Sequence, residues 1–173
     1  MHLLCDPFPE IESGREVTRV AVIGIGQSLR GDDAVGLEAI RQWQEKFPET
    51  ANRLEVQIEA SELPGLALID ALNKVDAAIL VDAVQSFTKP GTIHRLSEEE
   101  LAAFTSDSKS AHGWGVAETL QLRKKLTDVK TKIRIIGIEV EQIEIGAGLS
   151  KMIVETLPRV CEAIEAEVNN FLS

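Results

Sequence analysis

A chain of 173 residues is long enough to bury a core of its own, so it needs no disulfide framework to fold as one domain. Its 44% hydrophobic and 27% charged content argues against disorder. Twenty-eight acidic residues against 18 basic ones give a formal charge of −10, which argues against the basic stripe of a nucleic-acid binder and against docking on anionic lipid.

Residues 1–17 carry Pro7, Pro9 and scattered acids without periodicity and read as an extended arm ahead of a single domain over 18–173. The arm lacks the basic start and long apolar run of a secretory signal, and no stretch reaches the ~18 apolar residues of a membrane span. A cytoplasmic protein is the expectation. Of the two cysteines, Cys5 lies in the arm and Cys161 on an apolar helical stripe, so they form no metal knuckle.

Val20 to Ile25 is a continuous apolar run, as in a strand buried on both faces. Val35, Ile40, Trp43 and Phe47 then recur at helical spacing, and Pro48 ends that helix. Leu54 to Ile58 alternates and predicts a second, half-exposed strand. Leu63 to Leu72 predicts a helix with Leu66, Ile69 and Leu72 turned inward. Ala77 to Val81 is a second fully apolar strand, stopping at Asp82. Lys89-Pro-Gly marks a turn into a short strand, Thr92 to Leu96, whose brief connection suits an antiparallel edge. Ser97 and Glu100 have the spacing of a capping box for a helix over 98–104. A polar loop follows from Thr105. Residues 115–127 predict a helix with Val116, Leu120 and Leu126 inward, and Lys132 to Val140 predicts the last strand. Beyond Gly146 and Gly148, a stripe from Ile153 through Leu157, Val160, Cys161, Ile164 and Val168 to Phe171 marks the final helix. Pro158 inside it predicts a kink or a restart. Strands alternating with helices imply an α/β fold, a parallel-rich sheet covered on both faces.

In such a sheet the chemistry lies beyond the carboxyl ends of the strands. That rule selects the stretch Gly24 to Asp33, then Asp82, then Ser110-Ala-His112, then Glu139 and the Gly146 loop. The glycine stretch departs from GxGxxG and lacks the Lys-Ser/Thr of a phosphate loop. Asp32 and Asp33 would repel a phosphate from the helix start. One of this pair is expected to cap its own helix, leaving the other for function. His94 lies mid-strand and His2 in the arm, so His112 is the histidine nearest the predicted edge. Two carboxylates and an imidazole suit nickel, zinc or manganese, and equally suit acid–base chemistry without a metal. A Ser-His-Asp triad is disfavoured, since no GxSxG elbow is present.

Four segments, Gly24-Ile-Gly-Gln-Ser-Leu-Arg-Gly-Asp-Asp-Ala-Val-Gly36, Ile79 to Val84, Ser110-Ala-His112 and Gly137 to Ser150, together resemble the hydrogenase maturation proteases over roughly residues 18–168. The resemblance implies a three-layer α/β/α sandwich with a twisted, mostly parallel five-stranded sheet. It also implies an endopeptidase that removes the C-terminal extension of a [NiFe] hydrogenase large-subunit precursor after nickel insertion. The residues implied to meet the nickel and carry catalysis are Asp33, Asp82 and His112, the metal being supplied by the substrate; another divalent ion is the alternative. Three departures stand out: Gln27 where the family commonly has Asn, Ala34 where it has Gly, and Glu59-Ala-Ser-Glu62 where it has an acid after the second strand. Either Glu59 or Glu62 stands for that acid. The alternative function is a non-catalytic metal-binding assembly factor for a hydrogenase or other metalloenzyme.

Overall fold

The computed structural model describes residues 18–86, 88–106, 115–141 and 143–173. The arm 1–17, Cys5 and the segment carrying Ser110 and His112 lie outside the described residues. Five strands form one sheet: β1 (Val20–Ile25), β2 (Val56–Ser61), β3 (Ala77–Val84), β4 (Ile93–Ser97) and β5 (Lys132–Glu139). Their order is β2-β1-β3-β5-β4, parallel throughout except for β4, which runs antiparallel along the far edge of β5. This bears out the edge strand expected from its short connection.

Among the described residues, six α-helices accompany the sheet: α1 (Val35–Lys46), α2 (Pro48–Ala51), α3 (Leu66–Leu72), α4 (Glu98–Ser106), α5 (Val116–Leu126) and α6 (Lys151–Leu172). The period-two geometry of a strand sends alternate residues to opposite faces. Val20, Val22, Ile79, Val81, Ile136 and Ile138 pack with α1 and α6 through Ile40, Trp43, Ile153, Leu157 and Ile164. Ala21, Ile23, Leu80 and Ile135 pack on the other side with Leu68, Leu72, Leu101, Val116 and Leu120 of α3, α4 and α5. The sheet therefore lies between two helical layers, and the apolar runs of β1 and β3 are the result.

Local chemistry sets several boundaries. Pro48 opens α2 at the first-turn position it tolerates. Ser97 and Glu100 make the expected reciprocal box, with Ser97 N donating to Glu100 Oε2 at 2.6 Å and Glu100 N to Ser97 Oγ at 3.2 Å. Four expectations need correction. The second strand is Val56–Ser61, two residues later than its alternation suggested. Helix α3 starts at Leu66, so that residue sits on the solvent side of the first turn, 69% exposed. In α5 the inward place near the C-terminus belongs to Arg123, whose guanidinium bonds Asn73 Oδ1, Val129 O and Thr131 Oγ1, and Leu126 is exposed. Helix α6 does not restart at Pro158 but is one helix from Lys151 to Leu172. Pro158, which gives the Val154 carbonyl no amide partner, lies with Val154 on the exposed face of the helix.

The chain leaves β1 toward β2 on one side and leaves β3 toward β4 and β5 on the other. The two departures open a crevice at the carboxyl ends of β1 and β3, the place where doubly wound sheets bind ligands.

A two-carboxylate cleft at the carboxyl edge of the sheet

The crevice is a cleft of about 620 Å³, with Gly26, Gln27, Arg30 and Asp33 on one wall, Glu62, Leu63 and Pro64 on a second, and Asp82 to Gln85 at its base. Phe104, Gly115, Val116 and Glu118 line the remaining side.

The first wall depends on glycine. Gly26 has φ +153°, and a Cβ there would lie 2.0 Å from the carbonyl oxygen of Asp33. Only a residue without a side chain lets the turn after β1 fold back so closely. A Cβ on Gly36 would likewise meet Val81 O at 2.2 Å, so α1 begins in backbone contact with β3. The aspartates are thereby carried directly over the end of β3.

The pair divides its work differently from the expectation. Neither aspartate caps the helix that follows, since no side-chain cap bond is formed at either the 3-10 turn Gly31–Ala34 or α1. Asp32 is completely buried and accepts Ser150 N at 2.6 Å and Ser150 Oγ at 2.9 Å. Ser150 is the N-cap of α6, so Asp32 ties the first loop to a helix start 118 residues away. A carboxylate there also faces the positive end of α6. Asp33 is the acid of the pair that lines the cleft. Its Oδ2 accepts the backbone amide of Gln27 at 3.2 Å, a bond that does not use the Gln27 side chain. Ala34 has helical φ and ψ of −75° and −2°, so alanine is unstrained there.

Asp82 does not terminate its strand; β3 continues to Val84. Its register partner on β5 is Gly137, whose missing side chain leaves space that Val84 fills, a Cβ there lying 3.0 Å from Val84 Cγ1. Asp82 Oδ1 accepts the amide of Ala83 at 2.8 Å. Burial, with the charge of Asp33 beside it, pushes the Asp82 carboxyl up to about 8, against the smaller downward pull of that amide. Two acids from separate elements therefore interact across the cleft, and at neutral pH they share less than two full charges.

Of the two candidates after β2, Glu62 lines the cleft and Glu59 does not. Glu59 lies within β2 opposite Ile23, whereas Glu62 Oε1 accepts Ser28 N at 3.4 Å, joining the first two walls. His112 falls outside the described residues, so its place relative to the acids is not given; Gly115, just after that segment, is on the cleft wall. Among the described residues, no three histidine, cysteine or acidic side chains form a ready metal cluster. Asp33, Asp82 and Glu62 offer oxygen donors only, and a borderline ion would take its nitrogen donor from elsewhere.

Glu139, another strand-end acid, serves a different network. It is buried and accepts Ser86 N at 2.8 Å and Ser86 Oγ at 2.6 Å, with His94 Nε2 at 3.3 Å. Burial alone would raise this carboxyl, but the bonds from Ser86, Thr88 and His94 hold it below the usual carboxylate range. Sequence reading missed this cluster because Glu139 is about 50 residues from Ser86 and His94 and meets them only through the β3–β5 and β4–β5 pairings. It braces the connection after β3, whose first residues form the base of the cleft.

A family model described as hydrogenase maturation protease matches residues 48–167. The chain is 31% identical over 153 residues to the hydrogenase expression/formation protein HupD of Thiocapsa roseopersicina, covering 87% of this chain and 66% of that protein. It is 26% identical to the hydrogenase 2 maturation protease of Escherichia coli, covering 86% and 89%. It thus spans about two thirds of the length of the HupD relatives, 63% for that of Rhizobium leguminosarum. Its fold superposes on the hydrogenase maturating endopeptidase HybD of E. coli with a TM-score of 0.74 at 23% identity, covering 88% of this chain and 93% of that one.

Proposed function

The chain belongs to the hydrogenase maturation protease family, and from that premise we propose that it is the endopeptidase that removes the C-terminal extension of a nickel-loaded [NiFe] hydrogenase large-subunit precursor. The observation that carries this reading is that Asp33 and Asp82 line one cleft of about 620 Å³ and interact across it. Nickel enters as cargo of the precursor. Asp33 and Asp82 supply it with carboxylate oxygens, and His112 supplies the imidazole. The ion then reports that the precursor is loaded and fixes the adjoining peptide in the cleft. Such positioning alone can lower a barrier by several kcal/mol, up to ~7–11 in the best-aligned cases.

The raised Asp82 carboxyl fits this use. Two neighbouring carboxylates in a poorly hydrated cleft repel, so the empty site keeps a proton on the pair near neutrality. A divalent ion removes that repulsion and displaces the proton. In this reading Glu62, which lines the same cleft, is the carboxylate that accepts a proton from water attacking the scissile carbonyl.

The test uses purified chain with precursor in two forms. Nickel-loaded precursor is shortened by the extension and nickel-free precursor is not. A stoichiometric complex with no shortened product would instead favour a non-catalytic assembly factor, and equal cleavage of both forms would contradict nickel recognition.

A further inference from the structure

Arg30 is half-buried on the cleft wall, three residues before Asp33. Its backbone is fixed on both sides: its amide donates to Gln27 O at 3.1 Å, and its carbonyl accepts Asp33 N at 3.1 Å. The next residue, Gly31, donates to Ala147 O at 3.2 Å, so the turn is also tied to the loop before α6. The side chain is a different matter. Among the described residues Arg30 is the only lysine or arginine lining the cleft, and its guanidinium makes no ion pair with Asp33, Glu62, Asp82 or Glu118. A guanidinium that shares a cleft with four acids and pairs with none of them keeps its fork of donors for something that arrives.

The charge of the cleft decides what that is. One cation does not offset the four acids, so an acidic side chain or a chain-terminal carboxylate would meet net repulsion. A main-chain carbonyl carries no net charge and escapes that penalty, while still accepting a strong charge-assisted bond. Extended peptide offers such a carbonyl at every residue.

We propose that Arg30 is a positioning residue that binds a main-chain carbonyl oxygen of the precursor segment entering beside Asp33 and Asp82. The assignment rests on the endopeptidase reading above. It gives the cleft two anchors of opposite character: the acids hold the cargo ion, and Arg30 holds the neutral backbone, fixing the distance between ion and peptide.

The test is steady-state cleavage of nickel-loaded precursor by wild type, Arg30→Met, Arg30→Ala and Arg30→Lys, with equilibrium affinity for the precursor measured alongside. Loss of one charge-assisted bond made equally in ground and transition states raises KM about tenfold or more in Arg30→Met and leaves kcat within about threefold. Arg30→Lys keeps the charge but not the fork and falls between the two. Added guanidinium ion lowers the KM of Arg30→Ala, whose short side chain leaves it space, toward wild type, and the melting temperatures of Arg30→Ala and Arg30→Met match that of wild type. Wild-type KM in Arg30→Met overturns the assignment. So does a raised KM that tracks a lowered melting temperature and ignores guanidinium, since that marks a structural role. A wild-type chain that binds precursor more tightly than Arg30→Met but never shortens it removes the endopeptidase reading and leaves Arg30 in place.

Discussion

Asp32 and Asp33 are adjacent in sequence and opposite in role. Their different fates were half legible: two neighbouring acids cannot occupy one position, so a division of labour was expected. The partner of Asp32 was not legible, because Ser150 lies 118 residues away and nothing local marks the pairing. Asp32→Ala leaves Ser150 N and Oγ without their acceptor and exposes the start of α6 to that loss. It is expected to destabilise the fold by about 1–3 kcal/mol in urea unfolding, without adding a term to nickel affinity at the cleft. Asp82 makes the converse case. Its carboxyl is raised to about 8 in the native chain, from an unfolded value near 3.8. Between those two values the unfolded chain releases the proton and the native chain retains it, so stability falls as pH rises through this window. Asp82→Asn removes the penalty. In chelator-treated protein its melting temperature is expected to exceed that of wild type, by nearly nothing at pH about 4 and by the largest margin, several degrees, at pH about 8. An advantage that shrank as pH rose would show that Asp82 is stabilised as a carboxylate.

At the scale of elements, the apolar runs at β1 and β3 and the capping box of α4 were legible because their determinants are local. The inward side of α3 was not. A seven-residue helix has only two turns, so a start displaced by three residues moves Leu66 from the buried face to solvent. Arg123 was hidden for the opposite reason: a charged residue is buried only when tertiary partners such as Thr131 and Asn73 satisfy it. The turn after β1 gives the sharpest element-level test. Gly26→Ala must move the Asp33 carbonyl from 2.0 Å and hold φ +153° on a residue with a Cβ. It is expected to cost about 2–4 kcal/mol in thermal or urea unfolding and to lower cleavage further by shifting Asp33. A variant as stable and active as wild type would mean that this contact does not set the position of the acid.

Across the whole molecule, alternation of strands and helices was enough to anticipate a covered parallel sheet, and the strand order then locates the crevice. The chain leaves the parallel neighbours β1 and β3 toward opposite edges of the sheet, and this brings Asp33 and Asp82 to one crevice although 49 positions separate them in sequence. The location of His112 belongs to a segment outside the described residues, and its role rests on the family resemblance. The overall charge of −10 and the acidic cleft attract a cation from a distance. Because binding displaces a proton from the Asp33–Asp82 pair, the affinity of the free chain for Ni²⁺ is expected to rise between pH about 6 and about 8, as read by calorimetry in two buffers of different ionisation heat. The most direct test of a shared carboxylate site is a double-mutant cycle on nickel-loaded precursor with Asp33→Asn and Asp82→Asn. If the two acids act as a unit, each variant lowers kcat/KM by about a hundredfold or more, and the double variant is no worse than either alone. Losses that multiply, or a single variant with normal turnover, would contradict it.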